Sequence, residues 1–182
     1  MTFNVFGYGS LMWRPGFPHL SAEPAVLVGR HRRLCVFSWH HRGTRERPGL
    51  VLGLDRGGAC RGLVFRVDPA ERETVLSYLR AREQVTSVYL EKVVPVRLLD
   101  GTILSAVAYV VDRRHPQYAG ALDLSVQFET VRGAAGASGP NPEYVIATAA
   151  HLEEIGMPDA SLSALARLLE AEAVPGRLAA GG

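Results

Sequence analysis

The strongest constraint on the fold of this chain is a change of hydrophobic period at Asp68-Pro69-Ala70-Glu71. These residues are typical of a helix start, because an N-cap aspartate, a proline at the first helical position and a capping-box glutamate satisfy the free backbone groups there. Val75, Leu76 and Leu79 follow at the spacing of one helix face. The sequence therefore predicts a helix from residue 68 to about residue 82.

Apolar residues before this helix are grouped in short β-rich runs, and both strands and helices are predicted after it. The runs before it predict strands at 3–6, 25–39, 50–54 and 60–67, the last two joined by the turn Asp55-Arg56-Gly57-Gly58. A hairpin is predicted over 88–99 and 102–111, turning at Asp100-Gly101. Helices are predicted at about 121–135, 141–156 and 160–171, with Asn141 as the N-cap and Pro142 as the first residue of the second of these.

The order of strands, one helix, strands and then helices predicts an α+β fold. Its sheet should be largely antiparallel or mixed, with curling into a barrel as one possible form. A chain of 182 residues is long enough for one domain and short for two. We expect residues 1–174 to form a single domain and residues 175–182 to form a flexible C-terminal tail.

The first candidate site follows the strand 3–6, in the segment Gly7-Tyr8-Gly9-Ser10-Leu11. Glycines can take positive φ and let a ligand approach the backbone, and successive N–H groups in such a turn can converge on a carboxylate or phosphate. Ser10 adds a hydroxyl that donates or accepts. A tight turn without a ligand fits the same residues equally well, so both interpretations stand.

The second candidate is Glu83, directly after the predicted helix. Arg80 and Arg82 suit the negative end of the helix dipole, whereas a carboxylate at that end is unfavourably placed. One interpretation is an exposed acid paired with Arg80 or Arg82. The other is a base whose pKa has been raised towards its working range.

The composition argues against several classes of protein. A net charge of +2 gives no overall attraction to nucleic acid or to an anionic membrane. No stretch approaches the ~20 apolar residues of a membrane span, and the N-terminus does not resemble a secretory signal. Cys35 and Cys60 lie in apolar strand-like runs outside any CxxC motif, which predicts buried, reduced thiols in a cytoplasmic protein.

The longest predicted loop, residues 40–49, is polar and basic. Loops of this length often bind ligands or act as lids. His40 and His41 have no further ligand-type residue at metal-binding spacing, so no metal site is predicted. The arginines of this loop and of the predicted strand before it suggest nucleic-acid binding. They lack interleaved aromatic residues, however, and we expect no such partner. They are Arg30, Arg32, Arg33, Arg42, Arg45 and Arg47.

Several motifs, taken together and in order, resemble the ChaC-type γ-glutamylcyclotransferases. They begin with the segment from Phe6 to Phe17 and continue through Arg32-Arg33, His41-Arg42-Gly43, Pro48-Gly49, the run from Gly62 to Val67, Arg82-Glu83, the run from Ala135 to Asn141, and Tyr144. The resemblance implies a γ-glutamylcyclotransferase-like fold, a small mixed β-barrel with packed helices. It also implies that glutathione is the substrate and is split, without a cofactor, into 5-oxoproline and cysteinylglycine.

The resemblance also implies roles for particular residues. Glu83 would be the general acid/base, and the backbone of Tyr8-Gly9-Ser10-Leu11 would bind the α-carboxylate of the γ-glutamyl group. Tyr144 resembles a pocket tyrosine of the family, although a core tyrosine with a satisfied hydroxyl is an equal alternative. Arg42 and Arg45 are candidates for the glycine carboxylate of glutathione, since arginine binds carboxylates bidentately.

The chain departs from the family pattern in two places. His40 stands where many members have aspartate, and Ser87 and Val88 stand where many have glycine. These departures bear on substrate choice more than on the reaction. A cyclotransferase for other γ-glutamyl amides or dipeptides, and a non-catalytic regulatory protein linked to cation transport, are the alternatives.

Overall fold

A computed structural model describes residues 3–173, in which the chain forms seven strands and four α-helices. The strands are β1 (Phe3–Gly7), β2 (Ser21–Ser38), β3 (Gly49–Val67), β4 (Tyr89–Leu98), β5 (Ile103–Val111), β6 (Ala135–Gly136) and β7 (Gly139–Pro140). The helices are α1 (Arg72–Glu83), α2 (Leu124–Val131), α3 (Asn141–Glu154) and α4 (Ala160–Ala173). None of the helices between residues 3 and 173 is long and apolar enough to cross a bilayer.

The chain divides into two compact units. The first comprises Met1–Val36 and Leu52–Gly120, and the second comprises Phe37–Val51 and Ala121–Gly182. A single domain over residues 1–174 stays a prediction. The predicted tail, residues 175–182, lies outside the described residues.

Five strands close into a barrel in the order β1-β3-β2-β4-β5. The pairs β1–β3, β2–β4 and β4–β5 are antiparallel, whereas β1 and β5 pair in parallel at Val5 and Val107. The short strands β6 and β7 form a separate two-stranded sheet. The α+β prediction with a mixed barrel is therefore confirmed.

The strand β3 corrects the prediction of two strands joined by a turn. The chain stays in one strand through Gly57 and Gly58, which have φ of 102° and 64°. Glycines tolerate these positive values, so the strand bends without ending its pairing. Asp55, predicted to start the turn, is instead fully buried and ion-paired to Arg33 and Arg113.

The helix α1 packs its apolar face into the core of the first unit. The core cluster consists of Phe3, Val5, Leu11, Phe17, Phe65, Val67, Val75, Leu76, Leu79, Val107 and Tyr109. At about 1.5–3 kcal/mol for each buried aliphatic side chain, the three helix residues in this cluster are enough to hold α1 in place. Asp68 caps the preceding 3₁₀ turn, Pro69–Glu71, by accepting a hydrogen bond from the Ala70 amide at 2.9 Å.

Asn141 corrects another prediction in the second unit. It is not the N-cap of α3: Pro140 holds that position, and Asn141 is already helical. The buried Asn141 amide instead pairs with the backbone of Leu50, accepting from its N–H at 2.7 Å and donating to its carbonyl at 2.8 Å. The helix α2 is also shorter than predicted, because the chain after it turns into the β6–β7 pair.

Ser87, between α1 and β4, has φ of 60° and is the one non-glycine residue with positive φ among residues 3–173. The left-handed region costs an L-residue roughly 1–2 kcal/mol, whereas glycine enters it freely. Ser87 therefore places a side chain at a strained backbone position.

We expect Ser87→Gly to raise the free energy of unfolding by about 0.5–1 kcal/mol, since the relief of strain exceeds the extra chain entropy of glycine. Urea unfolding of the two proteins measures this difference. Ser87→Ala is the control, because it keeps the Cβ atom and should give no gain. Equal unfolding free energies for the alanine and glycine variants would contradict the prediction.

Candidate active site

The glycine turn begins where β1 ends and continues as the 3₁₀ turn Ser10–Met12. Gly7 and Gly9 do not have positive φ, which was one of the two reasons offered for glycine in this turn, and Gly9 has φ of −138°. Gly7 is needed for packing, because a Cβ atom there would lie 3.1 Å from the Phe65 ring and 3.2 Å from Leu11.

Gly9 differs from Gly7 in the space around it. A Cβ atom at Gly9 would meet only Leu52 Cδ1, at an ordinary contact distance of 3.5 Å. Packing within the protein therefore does not require glycine at this position. Close approach of a ligand to the backbone remains the predicted reason for it.

Tyr8 is fixed between these glycines. Its side chain is buried, and its carbonyl accepts a hydrogen bond from Arg32 Nε at 2.5 Å. Arg32 also donates to the carbonyl of Arg61 at 2.8 Å. The basic segment of β2 thus makes contacts within the protein. Arg32 hydrogen-bonds the glycine turn, and Arg33 forms an ion pair with Asp55.

Arg82 joins this turn to the C-terminal end of α1. Its Nη2 donates to the Ser10 hydroxyl at 2.8 Å, and its Nη1 donates to the Arg14 carbonyl at 2.7 Å. Its Nε lies 3.3 Å from Glu83 Oε1. The sequence identified Arg82 as a cation suited to the helix end and as a possible partner of Glu83, but not as a contact of the glycine turn. Its position directly before the candidate base was the available signal.

Glu83 is the last residue of α1 and its side chain is 19% exposed. Burial raises the pKa of Glu83 above its ordinary value, while the charge of Arg82 acts in the opposite direction. Each interpretation from the sequence matches part of this environment, and the role of Glu83 as a base stays a prediction. The carboxylate is paired with Arg82, as the first proposed, but it is largely buried and has a raised pKa, as the second proposed.

The three remaining candidate residues, Arg42, Arg45 and Tyr144, lie in the second unit. The Arg42 guanidinium lies over the Tyr144 ring, 5.4 Å from its centre, and donates to the Pro140 carbonyl at 3.2 Å. Tyr144 is partly exposed, so it is not a fully buried core tyrosine. Arg45 is exposed and lies over Trp39 at 4.7 Å.

Side chains that could hold a metal ion are not clustered in residues 3–173. Cys35 and Cys60 are buried and are not joined in a disulfide, as predicted. Burial raises the pKa of the Cys35 thiol to about 12, so this cysteine is not a thiolate nucleophile. Glu83 stays the candidate acid/base, and Arg82 connects it to Ser10 of the glycine turn.

The chain is similar to known proteins along most of its length. A family model described as "ChaC-like protein" matches residues 3–172. A glutathione-specific γ-glutamylcyclotransferase of Escherichia coli K12 is 34% identical over 161 residues, which cover 88% of this chain and 70% of that protein. A human glutathione-specific γ-glutamylcyclotransferase 1 is 32% identical over 171 residues, covering 92% and 77%. The chain therefore belongs to the ChaC-like family.

The fold is shared with a solved structure. A crystal structure of a yeast γ-glutamylcyclotransferase described as specific to glutathione superposes with a TM-score of 0.80 at 22% identity, covering 94% of this chain and 99% of the yeast chain. The barrel with packed helices predicted from the sequence is thus the γ-glutamylcyclotransferase fold.

Proposed function

We propose that this chain is a γ-glutamylcyclotransferase that splits glutathione into 5-oxoproline and cysteinylglycine. Membership of the ChaC-like family and the names of its relatives support the substrate class. The observation that carries the chemistry is the largely buried Glu83 carboxylate, which Arg82 links to the hydroxyl of Ser10 in the glycine turn.

The reaction needs little beyond positioning and proton transfer. The α-amine nitrogen of the substrate attacks its own γ-carbonyl carbon and closes a five-membered lactam, while the amide bond to cysteine breaks. Because nucleophile and electrophile belong to one molecule, holding the reactive rotamer supplies much of the rate. The proton lost by the attacking amine and the proton gained by the departing amine are exchanged with the protein.

Glu83 is proposed to exchange both protons. With the α-amine in its neutral form, Glu83 would accept the proton that the attacking nitrogen loses as the lactam forms, and would return it to the nitrogen of the leaving cysteinylglycine. A single carboxyl group can do both near neutral pH only if its pKa is raised from that of a free glutamate. Burial of Glu83 raises its pKa in this direction.

The backbone of Tyr8, Gly9, Ser10 and Leu11 is proposed to bind the α-carboxylate of the γ-glutamyl group. The bond from Arg32 to the Tyr8 carbonyl and the burial of Leu11 hold this segment in one conformation. A turn held rigid before binding loses less entropy when the ligand arrives.

Three further assignments belong to the same proposal. Tyr144 and Arg42 are proposed to contribute to substrate binding, with Arg42 as a partner for the glycine carboxylate. A cytoplasmic location is supported by the two buried cysteines outside any disulfide, since thiols are kept reduced there. We propose no nucleic-acid partner, because the arginines Arg32 and Arg33 are engaged by the protein itself.

The proposal is tested by incubating the protein with glutathione and measuring 5-oxoproline. N-acetyl-glutathione is the matched substrate control, because acetylation removes the nucleophilic amine and leaves the rest of the molecule in place. We expect product from glutathione alone. Product from neither compound would overturn the proposed function, and product from γ-glutamyl dipeptides alone would replace glutathione as the substrate.

Glu83→Gln tests the proposed base. It keeps the shape of the side chain and removes the proton acceptor, so kcat should fall by about 10²–10⁴-fold, the usual contribution of a general base. Glu170→Gln is the control, since Glu170 is an exposed residue of α4. A Glu83→Gln variant with near wild-type kcat would show that another group, such as Glu91, is the base.

Gly9→Ala tests whether the ligand approaches the turn closely. The added methyl group has room within the protein, so the melting temperature should stay within about 2 °C of wild type. KM for glutathione should rise at least ~10-fold, because the methyl group would stand between ligand and backbone. Ser10→Ala should have a smaller effect, as the main-chain donors remain. An unchanged KM in Gly9→Ala would argue against backbone binding at this glycine.

A further inference from the structure

We infer that Arg82 is a positioning residue that fixes the glycine turn and the carboxylate of Glu83 relative to each other, an inference that rests on the proposed function. The contacts of its guanidinium with both groups carry this inference. Arginine suits the task, because its five N–H donors lie in one rigid plane and cannot be deprotonated in a protein.

On the side of the turn, Arg82 holds two separate points of the chain. Its Nη2 donates to the Ser10 hydroxyl, and its Nη1 donates to the Arg14 carbonyl and, at 3.4 Å, to the Pro15 carbonyl. These acceptors bracket the 3₁₀ turn Ser10–Met12. The bonds therefore restrain the segment on both sides of the turn that is proposed to bind the substrate carboxylate.

Arg82 is itself held in place by Tyr78, one helical turn earlier. The Tyr78 hydroxyl lies 3.0 Å from Arg82 Nη1, and its ring makes an edge contact with Phe17. Gly16 has φ of +73° and lets the Tyr78 hydroxyl approach, since any Cβ atom at that position would collide with it. The loop after the glycine turn thus packs, through Gly16 and Phe17, against Tyr78, the side chain that orients Arg82.

The bond to Ser10 also determines what the hydroxyl can do. A guanidinium only donates, so Ser10 Oγ must be the acceptor in this contact. The hydroxyl proton of Ser10 is then available to another acceptor, and Ser10 itself is exposed. Arg82 therefore prepares Ser10 to donate towards an anionic group of the substrate.

The Arg82 guanidinium also limits the rise in the pKa of Glu83 that burial causes. Arg82 Nε lies 3.3 Å from Glu83 Oε1, and its charge favours the ionised carboxylate. Tyr109 of β5 is the other titratable group whose charge interacts with that of Glu83, and Tyr109 is bonded to the Arg80–Glu91 pair. Loss of the Arg82 charge should therefore raise the pKa of Glu83 further.

Two substitutions separate these effects. Arg82→Gln removes both the positive charge and the planar set of N–H donors, so kcat/KM should fall about 10²-fold. The acid limb of the pH profile of kcat/KM should also move to higher pH. Arg82→Lys keeps the charge but not the planar fork, so the acid limb should stay in place while KM rises about 10-fold. Arg132→Gln is the matched control, because Arg132 forms ion pairs with Glu129 and Glu172 in the second unit. It should change neither quantity.

A double-mutant cycle of Arg82→Lys with Ser10→Ala tests the link to the turn. If Arg82 acts through Ser10, the two losses in kcat/KM should be less than multiplicative. Multiplicative losses would overturn this link. Equal losses in Arg82→Gln and Arg82→Lys with no movement of the acid limb would reduce Arg82 to a structural role and overturn the inference.

A measurement on the protein alone keeps this inference distinct from the proposed function. An NMR titration of the labelled glutamate carboxyls, with Glu83 assigned by comparison with Glu83→Gln, should show a higher pKa in Arg82→Gln than in Arg82→Lys. If the wild-type protein forms no 5-oxoproline, the proposed function fails. The titration still decides whether the charge of Arg82 influences the pKa of Glu83. An unchanged Glu83 pKa in Arg82→Gln would overturn the inference even in an active enzyme.

Discussion

The apolar contact between α1 and the barrel is the interaction on which the rest of the first unit depends. Leu79 is fully buried in it against a core that includes Phe65 and Tyr109. Because this contact holds α1 against the barrel, it determines the position of the last helix residue, Glu83. It also determines how far the Glu83 side chain is shielded from water. The raised pKa of Glu83 is therefore a consequence of packing, whereas the charge of the neighbouring Arg82 acts to lower it.

The parts of the fold that depend on local signals could be predicted from the sequence. The hairpin at Asp100-Gly101 is set by neighbouring residues and agrees with the structure. Asp68 and Pro69 also form a cap, but of the 3₁₀ turn Pro69–Glu71, so α1 itself begins later than predicted, at Arg72. The continuous strand β3 and the role of Asn141 could not be predicted. Both are decided by distant partners: strand pairing carries β3 through its glycines, and the Leu50 backbone binds Asn141.

The candidate site shows the same division. The glycine turn and Glu83 could be identified from residue types and from their order, but their physical basis differs from the one expected. Gly7 is explained by tight packing and not by positive φ, and Glu83 is perturbed mainly by burial and not by its place at a helix end. The contact of Arg82 with Ser10 spans 72 positions in the chain, so no local pattern announces it.

The parallel pairing of β1 with β5 has a consequence for synthesis of the chain. While the protein emerges from the ribosome, β1 comes first, yet its second edge is covered only when Val107 has been made. Until then that edge offers free backbone groups to other chains, a known route to misassembly. The strand leading into the glycine turn thus waits longest for its final partner, and closure of the barrel belongs to the slow, non-local steps of folding.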